Sequence, residues 1–313
     1  MKKLLHEACQ ERPLLGDGAM GTQLMIAGLA QGNCGEAWNL NHPDRVLAIQ
    51  RRYAEAGSEC IITNTFGGSR IMLNRHSEAD HVPEINKAGV AIAREAFGGR
   101  DGYVLGDIGP FGGLLVPFGD FTEAQVQSAF EEQAAALVEG GADAIIIETQ
   151  TSLEELLIGI RAAQTAGAKC IIGSMAYDVT LDGSTFRTMM GIDPERAAGF
   201  MEENGAHIVA LNCGTGMEME RARMAVERYK SATSLPVMVQ PNAGKPKLVN
   251  MKVVYDETPE QMVKGLVPLL ESGANIVGSC CGSTPDHIGA FRKAMDEYLE
   301  SKGIQHHGAL RES

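Results

Sequence analysis

The sequence predicts a single-domain (β/α)8 barrel, and three observations carry that prediction. Five segments repeat one phrase, a glycine at a helix end followed by a buried strand: EAGSECIITNTF, EGGADAIIIETQ, TAGAKCIIGSMAY, ENGAHIVALNCG and ESGANIVGSCCG. Three further runs, Pro13 to Asp17, Tyr103 to Ile108 and Pro236 to Pro241, fill the gaps and bring the strand count to eight. Amphipathic stretches alternate with the strands at roughly 35 to 40 residues per unit, the spacing of a closed barrel of this kind. A doubly wound open sheet is the competing architecture. No GxGxxG follows the first strand, however, and eight similar units favour closure.

Each element has a local reason. Gly57, Gly141, Gly167, Gly205 and Gly273 stand where a helix end needs positive φ. The strands after them are nearly continuous apolar runs, as parallel strands covered on both faces require. Helices are expected over Thr122 to Glu139, Ser152 to Thr165, Asp193 to Glu203 and Thr258 to Glu271. Thr122–Glu123 and Thr258–Pro259–Glu260 supply N-cap chemistry, the second with proline at the first helical position. One domain over 1–300 and a loosely ordered tail over 301–313 complete the expectation.

The bulk numbers narrow the function. A chain of 313 residues with 44% hydrophobic residues can build a large core. A net charge of -13 argues against nucleic acid or an anionic membrane as partner, since both select basic surfaces. The start, MKKLLHEACQERPLL, is interrupted by His6, Glu7 and Glu11 and does not read as a secretory signal. No run approaches the roughly 20 apolar residues of a membrane span. Seven cysteines, an odd number, fit a reducing compartment, so a cytoplasmic setting is expected.

Barrel chemistry sits at the C-terminal strand ends. Here those ends are polar and glycine-rich, from DGAMGT and TNTF through GDIGP and ETQ to LNCG, QPNAG and GSCCG. Three cysteines meet there, Cys213 after the sixth strand and Cys280 and Cys281 after the eighth. Cys60 and Cys170 open their strands at the opposite end and read as small core residues. Cys9 and Cys34 have no evident partner in the sequence. Adjacent residues of a strand face opposite ways, so Cys280 and Cys281 reach one point only if the strand breaks, which Gly282 permits. Zinc is the natural point of convergence, because thiolates select it and three ligands leave a fourth position open. A strained vicinal disulfide and unligated pocket-lining thiols are the alternatives.

Taken together, DGAMGT, TNTFGG, GDIGP, LNCG, PNAGKP and GSCCGSTPDHI resemble the homocysteine S-methyltransferase family over about Leu14 to Ala294. Within it they look most like the homocysteine-binding barrels of cobalamin-dependent methionine synthases. The resemblance implies a zinc-dependent enzyme that methylates the thiol of homocysteine to give methionine. It implies that Cys213, Cys280 and Cys281 are the zinc ligands and that Asn242 fills zinc's fourth position before the thiol arrives. Asp17 and Glu148 match acidic residues that hold the homocysteine ammonium, while the turn at Gly18 and Ala19 receives its carboxylate. The bland alternatives are a plain βα turn for Asp17 and a helix cap for Asn242. Asp107 reads as a structural acid, and His207 begins its strand at the wrong end.

The donor is less legible. The chain shows no DxHxxG segment for a corrinoid's lower ligand, and no folate-binding barrel. Gly67 stands where betaine-using relatives place a tyrosine, and Gly282 where sulfonium-using relatives commonly carry arginine. These departures favour methylcobalamin supplied in trans by a separate corrinoid protein. Segment Phe111 to Phe121, apolar and glycine-rich, is expected at the mouth as a lid or docking surface, or else packed on its own rim. A small sulfonium or betaine donor, another thiol acceptor, and a corrinoid-partner binding module without catalysis are the competing functions.

Overall fold

A computed structural model describes residues 2–249 and 252–304. Its strands are β1 (Leu14–Leu15), β2 (Cys60–Ile62), β3 (Tyr103–Ile108), β4 (Ala144–Gln150), β5 (Ile171–Met175), β6 (Ile208–Asn212), β7 (Val237–Gln240) and β8 (Ala274–Val277). They form one parallel sheet in the order β1-β8-β7-β6-β5-β4-β3-β2. The β1–β2 seam is closed differently, because β1 is only two residues long. Glu59 donates its backbone N–H to the Leu15 carbonyl at 2.7 Å, and the Ile62 N–H reaches the Asp17 carboxylate at 2.8 Å. A side chain thus replaces a missing rung of the ladder.

The helices between strands are α1 (Pro43–Glu55), α2 (Val82–Ala96), α3 (Glu123–Glu139), α4 (Leu153–Thr165), α5 (Pro194–Glu203), α6 (Met219–Ala232), α7 (Pro259–Met262, continued by Leu266–Glu271) and α8 (Pro285–Ser301). Thr122, Ser152 and Asp193 prove to be N-caps, each accepting a backbone N–H from three residues on. The five glycines ending the repeated phrase all have positive φ. One detail departs from expectation. The stretch from Thr258 to Glu271 is no single helix, since a 3-10 turn at Val263–Gly265 divides it; Pro268 lacks an N–H and its ring crowds the carbonyl four residues back. Ile304 folds back, donating its N–H to the Leu299 carbonyl at 3.0 Å, and packs on the core. Residues 305–313 lie outside those described.

Strand alternation sorts the core into two layers. Leu15, Ile61, Val104, Ile145 and Val209 face the helices. Leu14, Cys60, Ile62, Leu105, Ile146, Cys170, Ala210 and Met238 fill the barrel itself. Side chains two apart share a face, so extending the inner series toward the mouth brings Asp107, Glu148, Ser174, Asn212 and Gln240 into the barrel above its apolar plug. All five are buried.

The opposite end carries a partly buried ion cluster. Glu59 accepts from Arg12 at 2.5 Å, from Arg292 at 3.1 Å and from the Leu15 N–H at 3.2 Å. Burial alone would raise this carboxyl, but the bonds and charge of Arg12, with the charge of Arg292, outweigh it and hold it below its ordinary value. The contribution is therefore complete at neutral pH and disappears as pH falls through the carboxylate range. Glu59→Ala is expected to destabilise the fold by about 1 to 3 kcal/mol, because the partly buried Arg12 loses its counter-charge and Arg292 keeps only Asp296. Urea unfolding at pH 7 measures this, and the gap between the two proteins should shrink toward pH 4.

Candidate metal centre at the barrel mouth

Two strand ends, those of β6 and β8, deliver three sulfurs to one place. The Sγ atoms of Cys213, Cys280 and Cys281 all lie within 4.8 Å of one another, with Cys281 at 3.9 Å from both others. That spacing excludes a disulfide, whose sulfurs sit about 2 Å apart. Tetrahedral ligands 2.3 Å from a zinc ion would be separated by about 3.8 Å. The sulfur triangle therefore has the size that one ion requires.

Backbone strain makes this possible. Cys213 lies in the left-handed region at φ 58°, although it has a side chain, and Gly282 follows the pair at φ 83°. A left-handed residue turns the chain away from the strand direction, so Cys213 leaves the regular alternation just after β6. The bend at Gly282, expected from the sequence, is present; the one at Cys213 was not foreseen. Gly282 has a second duty, since a Cβ there would overlap the Tyr255 ring. Backbone bonds lace the two cysteine segments to the end of β7: Cys213 N–H to Gln240, Cys280 N–H to Pro241, and Ala243 N–H to Cys281.

Of the three sulfurs Cys281 favours the anionic state, while bonds within the trio and burial raise Cys213 and Cys280. Hydrogen bonds from the Cys213 and Cys280 thiols, aided by the Tyr255 hydroxyl, hold Cys281 down to about 3 against the opposing effect of burial. Asn242 sits beside them, 3% exposed. Its amide nitrogen donates to the Gly214 carbonyl at 3.0 Å, while its Oδ1 is buried without a partner. It is not a helix cap; Thr258 takes that place. Backbone bonds tie the neighbours of Asn242, Pro241 and Ala243, to Cys280 and Cys281, so its unpartnered oxygen is available as a fourth donor and the set fits zinc.

A pocket of acids adjoins the sulfurs. Asp17, Asp107 and Glu148 are all buried. Desolvation, with the charge of Glu148 adding to it, drives Asp107 well above the carboxylate range; desolvation and the nearby Cys213 raise Glu148 to about 7. Asp107 therefore keeps its proton, and Glu148 is the partner that ionises. Asp17 spends one oxygen on the Ile62 N–H, and burial pushes it well above the carboxylate range. Its Oδ1 and that of Asp107 have no partner, and among the described residues no cationic side chain pairs with any of the three. Uncompensated buried carboxyls are costly, so the pocket suits a cation from outside.

The DGAMGT turn faces this pocket, but its amides are unequal. The Ala19 N–H already donates to Ser283 Oγ at 3.0 Å. A Cβ on Gly18 would meet Ser283 Oγ at 2.7 Å and the Tyr53 ring at 2.8 Å, so only glycine fits there. Met20 and Gly21 open the helix Met20–Ile26, and first-turn amides have no intrahelical partner. Among the remaining cysteines, Cys9, Cys60 and Cys170 are buried in the core below, and the Cys34 thiol donates to Glu36 at 3.4 Å. His207 accepts the Ile171 N–H at 3.1 Å at the far end of the barrel.

Sequence reasoning thus located the sulfurs, Asp17, Glu148 and Asn242, and the structure brings them to one mouth. It set Asp107 aside as a structural acid and passed over Asn212, Thr149 and Tyr255. Asp107 and Asn212 carried a usable signal, a polar residue at an inward position two beyond an apolar one. Tyr255 carried none.

Known proteins bear on this arrangement. The sequence model described as homocysteine S-methyltransferase matches residues 14–295. The methionine synthases of Mycobacterium tuberculosis and Mycobacterium leprae are each 35% identical to it, over 300 and 301 residues, covering 91% of this chain. The chain spans about a quarter of the length of these curated relatives, 25% and 24%. The metallated homocysteine methyltransferase MmuM from Escherichia coli superposes with a TM-score of 0.76 at 20% identity, over 93% of this chain and 99% of that one. At that identity the likeness shows the fold alone.

Proposed function

This chain belongs to the homocysteine S-methyltransferase family, and from that premise we propose that it transfers a methyl group to the thiol of homocysteine, giving methionine. One observation carries the reading. Three sulfurs gathered within 4.8 Å stand beside buried carboxyls that lack a cation of their own. An amino acid with a terminal thiol satisfies both halves at once.

In this reading Cys213, Cys280 and Cys281 hold zinc, and Asn242 Oδ1 completes the set when substrate is absent. Zinc supplies Lewis acidity that leaves an incoming thiol deprotonated at neutral pH, where a free thiol with pKa near 8.5 is mostly protonated. The protein does the rest by positioning. Glu148 and Asp17 hold the ammonium, and the amides of Gly18, Met20 and Gly21 take the carboxylate. The sulfur lone pair then forms the new S–C bond as the donor's bond to the methyl carbon breaks. No protein base is needed once the thiol proton has left.

The donor we propose is methylcobalamin on a separate corrinoid protein. The rim supports a large partner: Leu114, Val116, Phe118, Leu181, Met189 and Met190 are all exposed, Phe118 by 83%. The loop expected at the mouth divides its labour. Phe111 is buried and packs edge-on against Phe121 at 5.4 Å, while its tip stands in solvent. Its root is tied to the scaffold, the Phe111 N–H donating to Glu155 at 2.7 Å and Arg75 donating to the Gly112 carbonyl at 2.6 Å. An apolar tip on a fixed root suits docking better than closure.

Parallel assays of the zinc-loaded protein with homocysteine test this. Turnover with methylcobalamin is expected to exceed that with S-methylmethionine or betaine. Turnover confined to either small donor would overturn the donor assignment, and none with any donor would overturn the reaction.

A further inference from the structure

The two halves of the site are joined by a residue that neither half uses, Asn212. Its side chain is 1% exposed and makes four hydrogen bonds. Its Oδ1 accepts from Ser174 Oγ at 2.7 Å and from the Thr149 N–H at 3.1 Å. Its Nδ2 donates to Thr149 Oγ1 at 2.7 Å and toward Cys280 Sγ at 3.9 Å. Both acceptor sites and both amide hydrogens are then in use. The orientation is fixed, because a backbone N–H can only donate: the oxygen must face Thr149 N, and the NH2 must face the sulfur.

What Asn212 grips is unusual. Between Ile147 and Gln150 the pairing of β4 with β5 slips by one residue, Ile147 opposing Gly173 and Gln150 opposing Met175. The extra residue makes a bulge at Glu148–Thr149, and Thr149 is left-handed at φ 56° although it is β-branched. Such a conformation persists only where surroundings enforce it. Asn212 binds Thr149 through both its backbone and its hydroxyl, so it is the clamp on the bulge. A bulge re-aims the side chain beside it, and that side chain is Glu148. The same amide reaches Cys280 across the mouth. One side chain thereby ties the ends of β4, β5, β6 and β8.

The geometry points to Asn212 as a positioning residue that sets the span between the carboxyl pocket and the sulfur centre, and so selects amino acids by the length of their thiol arm. The inference rests on the homocysteine reading above. With the span fixed, cysteine falls short by one methylene and the homologue with one more overshoots. A single misplaced methylene is worth about 10- to 200-fold in discrimination. Once the clamp is removed, Glu148 and the sulfurs move independently and the preference flattens.

The test is calorimetric binding of cysteine, homocysteine and 2-amino-5-sulfanylpentanoate to zinc-loaded protein, with 2-mercaptoethanol as a thiol that has no ammonium. Native protein is expected to prefer homocysteine over both neighbours. Asn212→Ala is expected to weaken homocysteine by about 10- to 200-fold, the discrimination that one misplaced methylene carries. It should narrow the differences among the three amino acids to a few-fold and leave 2-mercaptoethanol nearly unchanged. Thr149→Gly keeps the left-handed turn without strain and removes only the hydroxyl rung, so it covers the case of a misfolded alanine variant; a partial narrowing is expected. Unchanged preference in a folded, zinc-loaded variant would overturn the inference. An equal loss for all four thiols would do so too, assigning Asn212 to metal retention alone. Failure of native protein to bind homocysteine would instead strike the reaction assigned to the site.

Discussion

Replacing Cys281 with alanine is expected to abolish methyl transfer, by on the order of a thousand-fold or more, equivalent to about 4 kcal/mol of transition-state stabilisation. The fold should survive. The ties that hold residue 281 in place are backbone ones, such as its carbonyl accepting the Ala243 N–H at 3.0 Å, and alanine keeps them. What goes is one of the three sulfur ligands, and the one that its neighbours hold ionised. Two sulfurs and an amide oxygen retain zinc poorly, since affinity for this ion comes mainly from thiolate. Metal analysis after dialysis should find about one zinc per chain in native protein and far less in the variant. A variant that turns over at the native rate would remove the zinc mechanism.

Glu148→Gln should act on substrate rather than metal. Glutamine keeps the shape but loses the charge that meets the ammonium, and removing one partner of a buried pair costs about 2 to 5 kcal/mol. KM for homocysteine should rise by roughly 30-fold to several thousand-fold. The pH dependence gives the sign. Glu148 titrates near 7 in the free site, raised by burial and by Cys213, and only its ionised form attracts the ammonium. Affinity for homocysteine should therefore fall as pH drops below about 7, and the variant should lose that one-proton slope. Any pH dependence left would belong to the thiol. An unchanged KM would place the ammonium elsewhere.

The barrel was legible because its signals are local and repeated. A glycine at each helix end needs positive φ, and all five marked in the sequence have it. What sequence could not show was closure at β1–β2, where the Asp17 side chain stands in for a rung. Asp17 was read as a substrate residue, yet one of its oxygens is structural and the other is unpartnered. The sulfur trio was legible by type and by strand end, whereas the bend at Cys213 was not, since no rule marks a cysteine as left-handed. Asn212 was hidden for another reason. It lies next to a cysteine that drew attention, and its importance depends on a bulge two strands away.

The most direct test of the zinc centre is X-ray absorption at the zinc edge, with and without homocysteine. Three sulfurs and one lighter atom are expected in the free protein, and four sulfurs at about 2.3 Å once homocysteine is added. A sulfur count that stays at three while homocysteine binds, or a zinc without sulfur neighbours, would contradict direct activation of the thiol at Cys213, Cys280 and Cys281.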